Sequence, residues 1–380
     1  MHTPDTVIGW DIGGAHVKAC VLQRGEAVDV MQWACPLWQG LTHLRQVFDE
    51  AAARWPDLGH AQHAVTMTGE MVDLFAHREE GVQRIAAIAA EALGRVAFFA
   101  AGPGEAEPSW CSAADAASQW PRIASANWRA TAQHAAMVLQ DHGGDGVLID
   151  IGSTTTDLIA FRAGRVLSQS RSDADRLASG ELVYHGVVRT PLCALTRRIA
   201  WRGQQLNVMN EFFATTADVY RLTSELDPAH DLHATADNAP KDAPSSRKRL
   251  ARMIGLDERD AAIDEWHAFA RAWRACQVSE IAGQLARVAE AAGLSAHAVV
   301  VAAGCGDFLV ADVVADVVAD SVNDVVTDAV AASPLRGAHR VDYGRAVARI
   351  APSARADVAG WAQVCAPSVA VASLADRGLR

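Results

Sequence analysis

The sequence predicts an α/β protein built of two related domains. Three observations carry this: an internal repeat of a strand-and-turn unit, strand-like runs alternating with helical spacing between the copies, and length. At about 150 residues per domain, 380 residues leave room for two. The repeat sets Val7-Ile8-Gly9-Trp10-Asp11-Ile12-Gly13-Gly14 over Gly146-Val147-Leu148-Ile149-Asp150-Ile151-Gly152-Ser153, 139 residues later. Lys18 then falls opposite Asp157, and Gly25 opposite Gly164. In each copy the apolar run before the aspartate reads as a buried strand, and the run after it, 17–22 or 158–161, as a second. Arg24-Gly25 and Ala163-Gly164 put a glycine where a turn needs a positive φ.

Between the copies, 41–53 and 81–93 have the apolar spacing of helices, and 63–67 and 96–101 read as short strands. An amphipathic helix over 127–140 leads through His142-Gly143-Gly144 into the second copy, which sets the domain boundary there. The expected division is 1–142, 143–340 and a helical segment 341–380 that packs back on the first domain. Beyond Gly164 the chain reads as mainly helical, over 180–188, 261–291 and 343–349, with a loop from Asp227 to Lys248 and a strand over 298–303 before Gly304-Cys305-Gly306.

Composition narrows the function. Hydrophobic residues make up 50% and charged ones 21%, which excludes disordered, collagenous and disulfide-stapled chains. A net charge of −11, from 34 Lys+Arg against 45 Asp+Glu, argues against nucleic acid or anionic lipid as partners. No apolar run reaches about 20 residues, and 1–5 is polar and leads straight into a strand, so the expected location is the cytoplasm. The seven cysteines form no Cys-x-x-Cys pair, which speaks against a zinc cluster or disulfide framework and for small buried apolar residues. Asp312, Asp316, Asp320, Asp324 and Asp328 recur every four residues in a Val/Ala-rich background. Their spacing fits no calcium loop, so a surface segment is favoured over a calcium site.

An aspartate ending a buried strand, followed by Gly-Gly or Gly-Ser in a tight turn, suits phosphate chemistry. Glycine lets backbone N–H groups approach phosphate oxygens, and a nearby ammonium or hydroxyl completes the cradle. Asp11 and Asp150 would hold Mg²⁺ directly or through water. Lys18 neutralises a phosphate, while Ser153, Thr154 and Thr155 suit a second one. A single Asp-x-Gly turn is more simply an Asx-type turn, but two equivalent copies favour the phosphate reading. The glycine spacing fits neither a dinucleotide fingerprint nor a P-loop.

Asp11 to Lys18 and Ile149 to Asp157 resemble the two phosphate motifs of the actin, Hsp70 and sugar-kinase superfamily, closest to its hydantoinase/oxoprolinase-like branch. Thr66 to Met71, Ala124 to Ala132, Gly180 to Pro191 and Phe213 to Tyr220 further resemble proteins linked to tetrahydromethanopterin one-carbon transfer, and their archaeal methanofuran-pathway relatives. The resemblance implies two ribonuclease-H-like domains flanking a phosphate-binding cleft. Asp11, Gly13, Gly14 and Lys18 would line one side, with Asp150, Gly152, Ser153, Thr154, Thr155 and Asp157 on the other. Gly304 and Gly306 sit where the superfamily binds adenosine. The implied activity is a transferase coupling an aminomethylfuran diphosphate to a tyramine-type phenol with loss of diphosphate. An ATP-dependent kinase or ATPase, and a nucleotide-switched scaffold, stand as alternatives. Mg²⁺ is the implied cofactor, with ATP left open. The implied partner is a small phosphorylated substrate, with a homodimer among the open assembly states.

In that reaction Mg²⁺ and Lys18 would neutralise the leaving group, and a base would deprotonate the phenol. Glu70 and Glu181 are the candidates, though each also reads as a helix cap, Glu181 within the first turn of the 180–188 helix. His185, four residues on, would share its face, where a helix-stabilising contact is favoured. His16 reads either as a protonated phosphate contact or as a solvent-facing turn residue. Asn127 and Arg129 either read substrate polar groups or cap the linking helix, and Trp10 reads as core.

Overall fold

The computed structural model describes residues 6–102, 107–140, 144–323 and 334–379. The first half forms β1 (Thr6–Ile12), β2 (His16–Gln23), β3 (Glu26–Ala34), α1 (Thr42–Arg54), β4 (Gln62–Met67), α2 (Arg78–Leu93), β5 (Val96–Ala100) and β6 (Ser109–Cys111). These strands make one sheet in the order β3-β2-β1-β4-β5-β6. The β1–β2–β3 meander is antiparallel, and β1, β4 and β5 run parallel because a helix or a long connection separates them. Two helices follow, α3 (Ala116–Ile123) and α4 (Asn127–Val138).

The second half repeats the plan with additions. It contains β7 (Asp145–Ile151), β8 (Thr156–Arg162), β9 (Arg165–Val166), α5 (Asp173–Ser179), β10 (Leu182–Val183), α6 (Leu192–Leu195), β11 (Arg198–Trp201) and β12 (Gln204–Asn207). Next come α7 (Thr216–Leu222), α8 (Ala243–Arg252), α9 (Ile263–Ala291), β13 (Val299–Ala303), α10 (Val310–Asn323), β14 (His339–Asp342), α11 (Val358–Val364) and α12 (Ala366–Gly378). The second sheet runs β10-β8-β7-β13-β14, with β9 also on β8, and β11 and β12 form a separate hairpin. Both sheets share the ribonuclease-H-like plan of an antiparallel hairpin beside parallel strands. The repeat holds in register: Asp11 pairs with Lys18 across β1 and β2, and Asp150 with Asp157 across β7 and β8. The turns after β2 and β8 match too, with φ 53° and 80° at Arg24-Gly25 and 49° and 78° at Ala163-Gly164, the two-residue geometry that follows strand twist.

Side-chain alternation along β1 splits the first domain's core. Ile8, Trp10 and Ile12 pack with residues of α1 and α2, including Phe48 and Ile85. Val7 belongs to the other core, which α4, α12 and the second sheet share. Gly9 faces α12 so closely that a Cβ there would meet Ser368 O at 2.1 Å and the Ala372 Cβ at 2.7 Å. Thus α12 lies on β1, β2 and β4 of the first sheet and against α4. Among the described residues no single helix is long and apolar enough to cross a membrane.

Several expected elements differ. The stretch 180–188 is not helical: Gly180, at φ 87°, is the left-handed cap that ends α5, and the chain continues as β10 and turns. Glu181 therefore stands in no helical first turn, and His185 shares no helix face with it. At 343–349 there is one π-helical turn, Tyr343–Val347, and its Gly344 packs on α11, where a Cβ would meet Ala359 O at 2.1 Å. The 227–248 loop carries the start of α8, capped by Asp242, and is anchored by ion pairs of Asp231 with Arg221 (2.6 Å) and Asp237 with Arg249 (3.0 Å). Of the aspartate repeat, Asp312 and Asp316 lie on α10, where Asp312 pairs with Arg274 at 2.7 Å. Asp324 and Asp328, with the Asp320 side chain, lie outside the described residues.

Candidate functional site

The carboxyl ends of β1 and β7 face one cavity of about 620 Å³. From the first sheet, Asp11, Gly13, Gly14 and Lys18 line it; from the second come Asp150, Gly152, Asp157 and the hydroxyl turn Ser153-Thr154-Thr155. Two distant repeats thus supply one site.

The floor is electrostatically frustrated. Burial raises the Asp11 carboxyl to about 6, with Lys18 opposing the rise. Burial, reinforced by the charge of Asp157, takes Asp150 to about 7. Burial alone would lower Lys18, but the carboxylates of Asp11 and Asp150 outweigh it and hold the ammonium above its usual range. Lys18 Nζ also donates to Val364 O at 3.2 Å. Asp157 is raised by burial despite its ion pair with Arg176, whose other nitrogen reaches Asp173 at 3.0 Å.

These residues fit a hard divalent cation. Asp11 Oδ1 is buried with no hydrogen-bond partner, and both aspartates are oxygen donors held where charge is costly. Among the described residues no group of three or more His, Cys, Asp or Glu side chains stands ready to enclose a metal. A cation held by Asp11 and Asp150 would take its other ligands from water and phosphate, the habit of Mg²⁺.

The glycines work differently from the expectation. The N–H groups of Gly13 and Gly152 donate back across their turns, to His16 O (2.9 Å) and Thr155 O (2.8 Å), so they shape the turns rather than aim at a ligand. Gly304 and Gly306 are not among the cavity-lining residues. Gly304, at φ 86°, presses on the back of β7, where a Cβ would meet Ile151 O at 2.2 Å and Asp150 Oδ1 at 2.6 Å. Gly306 N donates to Ile151 O at 2.8 Å. Together they seat the Asp150 strand end.

The two glutamates lie apart. Glu70 is 1% exposed, its Oε1 accepting from Ser125 Oγ at 2.8 Å and its Oε2 unpartnered. Burial raises it to about 7, against the lowering effect of that hydrogen bond. Glu70 does not line the cleft, but Ser125 does. Glu181 accepts from Ser168 Oγ (2.8 Å) and Ser170 Oγ (2.6 Å) and is not among the cleft-lining residues, so its place is in holding the 168–170 segment. His185 is half-buried and lowered by burial, with Nδ1 unpartnered.

His16 is not solvent-facing. It is buried and lines the cleft, its ring 4.8 Å from that of His233, and burial with that neighbour drives its pKa well down, against a charged ring. His233 reaches over from the 231–242 segment, its Nε2 2.9 Å from Ala15 O. Asn127 lines the cleft; Arg129 lies behind, in a neighbouring cavity. Trp10 is core, donating through Nε1 to His63 Nδ1 at 3.0 Å.

Residues that sequence reasoning missed complete the walls. Arg189 lies 5.1 Å over the Trp38 ring, and both line the cleft with Arg176 and Thr68. Four of the eight large hydrophobic side chains exposed among the described residues, Trp38, Met71, Leu177 and Tyr184, stand on its rim. Gly186 backs the hydroxyl turn, since a Cβ there would meet Ser153 C and Thr154 N at 2.4 Å. Val187 N and Val188 N donate to Gly152 O and Ser153 O. The density of glycine and valine over 180–191 was the available signal.

The chain is 29% identical over 264 residues to the (4-{4-[2-(gamma-L-glutamylamino)ethyl]phenoxymethyl}furan-2-yl)methanamine synthase of Methanocaldococcus jannaschii, covering 70% of this chain and 76% of that protein. The synthase of the same name from Methanococcus vannielii is 29% identical over 180 residues, covering 47% of this chain and 79% of that one. Among solved structures, nucleotide-free acetone carboxylase superposes with a TM-score of 0.48 at 10% identity, covering 80% of this chain and 66% of that one. A glucokinase of the ROK family from Streptomyces griseus gives 0.45 at 13%, covering 98% and 100%. The profile of the hydantoinase/oxoprolinase family matches residues 62–334, and the chain belongs to that family.

Proposed function

We propose that the protein is a transferase that joins a furfuryl-type diphosphate to a phenol, forming an aryl ether and releasing diphosphate, as in methanofuran-type cofactor synthesis. The observation that carries this is the cleft's composition: a floor of Asp11, Asp150, Lys18 and Ser153 under a rim of Trp38, Met71, Leu177 and Tyr184. A floor of that kind suits a metal-bound diphosphate, and an apolar rim suits the ring that carries it. The product named for the relatives contains a phenoxymethyl link to a furan, the bond such a site would make.

Lys18 supplies positive charge to the departing diphosphate, and the Ser153 to Thr155 turn supplies hydroxyl donors. Bound at Asp11 and Asp150, Mg²⁺ would add charge neutralisation to the same oxygens. The bond from the furfuryl carbon to the diphosphate oxygen breaks with its electron pair leaving on oxygen, and the furan ring shares the positive charge that develops. The phenol oxygen then bonds to that carbon. Its proton passes to Ser125 Oγ as the Ser125 proton moves to Glu70, a carboxylate raised to about 7 by burial and so basic enough near neutral pH. An ATP-dependent reading needs Gly304 and Gly306 to hold adenosine, and both are packed tightly against Ile151 of β7.

The test is to incubate pure protein with Mg²⁺, an aminomethylfuran-methyl diphosphate and γ-glutamyltyramine. Ether and diphosphate should appear in equal amounts, without ATP. Phosphoryl transfer from ATP with no ether would overturn the proposal.

A further inference from the structure

A second cavity, of about 340 Å³, lies beside the cleft. Ser125 and Asp173 line both, so the two meet at the wall carrying the Ser125–Glu70 hydrogen bond. The chemistry in the cleft leaves the remaining walls of this cavity without a role. Among the described residues its charged lining is Arg122, Arg129, Arg171 and Asp173, in a chain of net charge −11. Trp128 adds an indole, and Ser170 adds a hydroxyl.

We infer that this second cavity holds the amino-acid head of the phenol acceptor, its carboxylate among the three arginines and its ammonium at Asp173, with the phenol directed past Ser125 into the cleft. The inference rests on the transferase reading and supplies what that reading lacks, a place for the acceptor. The planar fork of a guanidinium matches a carboxylate with two parallel N–H donors, which a lysine cannot do. The volume is that of a small-molecule site rather than a packing defect.

The walls are fixed in place. Ser168 and Ser170 both donate to Glu181 Oε2, which makes Glu181 a positioning residue for this cavity. Arg129 is buried with its guanidinium 5.5 Å from the centre of the Trp128 ring, and it reaches Ser168 O at 3.5 Å. Arg176 lies 4.5 Å over the same ring and pairs with both Asp157 in the cleft and Asp173 at the junction. One indole and one arginine therefore join the floor of the phosphate site to the second cavity.

Calorimetry with Mg²⁺ and diphosphate present, comparing γ-glutamyltyramine with tyramine, tests this. The glutamyl compound should bind at least about tenfold tighter, the worth of one charge-assisted hydrogen-bonded pair. Arg171→Ala, at an exposed position, and Arg122→Ala should each erase most of that preference while diphosphate still raises the melting temperature. Equal binding of the two phenols, or a preference intact in both variants, would overturn the assignment. Binding of neither phenol, with diphosphate still bound, would overturn the transferase reading and this assignment together. That outcome differs from equal binding, which leaves the transferase reading standing.

Discussion

Ser125 Oγ donates to Glu70 Oε1 at 2.8 Å, across a wall shared by two cavities, while Glu70 Oε2 is buried without a partner. Ser125 holds a left-handed backbone, φ 51°, to reach it. A buried carboxylate with one donor is a poor structural element but a serviceable proton acceptor.

Glu70→Gln is therefore expected to lower kcat by about 100-fold with a small change in KM for the diphosphate substrate. Because Glu70 acts as a base and is raised to about 7, wild-type kcat should climb as pH rises through 7. That limb should be missing in Glu70→Gln, and steady-state rates between pH 5.5 and 8.5 would show it.

Asp150→Asn should separate binding from stability. Burial disfavours the Asp150 charge, so the free variant should melt no lower than wild type. Stabilisation by Mg²⁺ with diphosphate, about 2.7 kcal/mol at 100 times Kd, should vanish. Thermal unfolding with and without the ligand measures both.

Gly304→Ala should cost about 2 kcal/mol or more. A Cβ at φ 86° is strained, and this one would overlap Ile151 O and Asp150 Oδ1. Denaturant unfolding would show the loss, and Mg²⁺·diphosphate affinity should fall with it because Asp150 is pushed aside.

His63 should make the first domain sensitive to acid. Its Nδ1 accepts from Trp10, its Nε2 lies 3.1 Å from Leu58 O, and burial lowers it from 6.5 to about 4. The folded state thus requires the neutral ring, so the stabilisation is complete above pH 6.5 and is lost as pH falls toward 4. The loss approaches about 3 kcal/mol by pH 4. A His63→Gln variant, compared by urea unfolding at pH 7.5 and 5, should lose less stability on acidification than wild type.

The two Asp-x-Gly hairpins were legible as a pair: one alone would have read as an Asx-type turn, but two apolar runs ending the same way in matching register are hard to mistake. Helices α1, α2, α4 and α9 were legible from period alone. β3 was missed because Glu26, Asp29 and Gln32 interrupt its apolar pattern at the sheet edge. The 180–188 stretch reads as a helix because Val183 and Val187 stand four residues apart in an apolar run. Its real constraint is tertiary, the closeness of Gly186 to Ser153 and Thr154. Trp38, Tyr184 and Arg189 carry no local mark of the cleft, since only the fold brings residues so far apart in sequence to one rim.

Gly9 and Ala372 touch across more than 360 residues of sequence. At roughly 5–20 residues per second, β1 leaves the ribosome some 20 to 70 s before the helix that seals its open face exists. Through that interval Val7 and the bare backbone at Gly9 stay uncovered unless another surface shields them, the condition under which nascent sheets recruit chaperones or pair wrongly. The half of this protein that is made first is thus finished last.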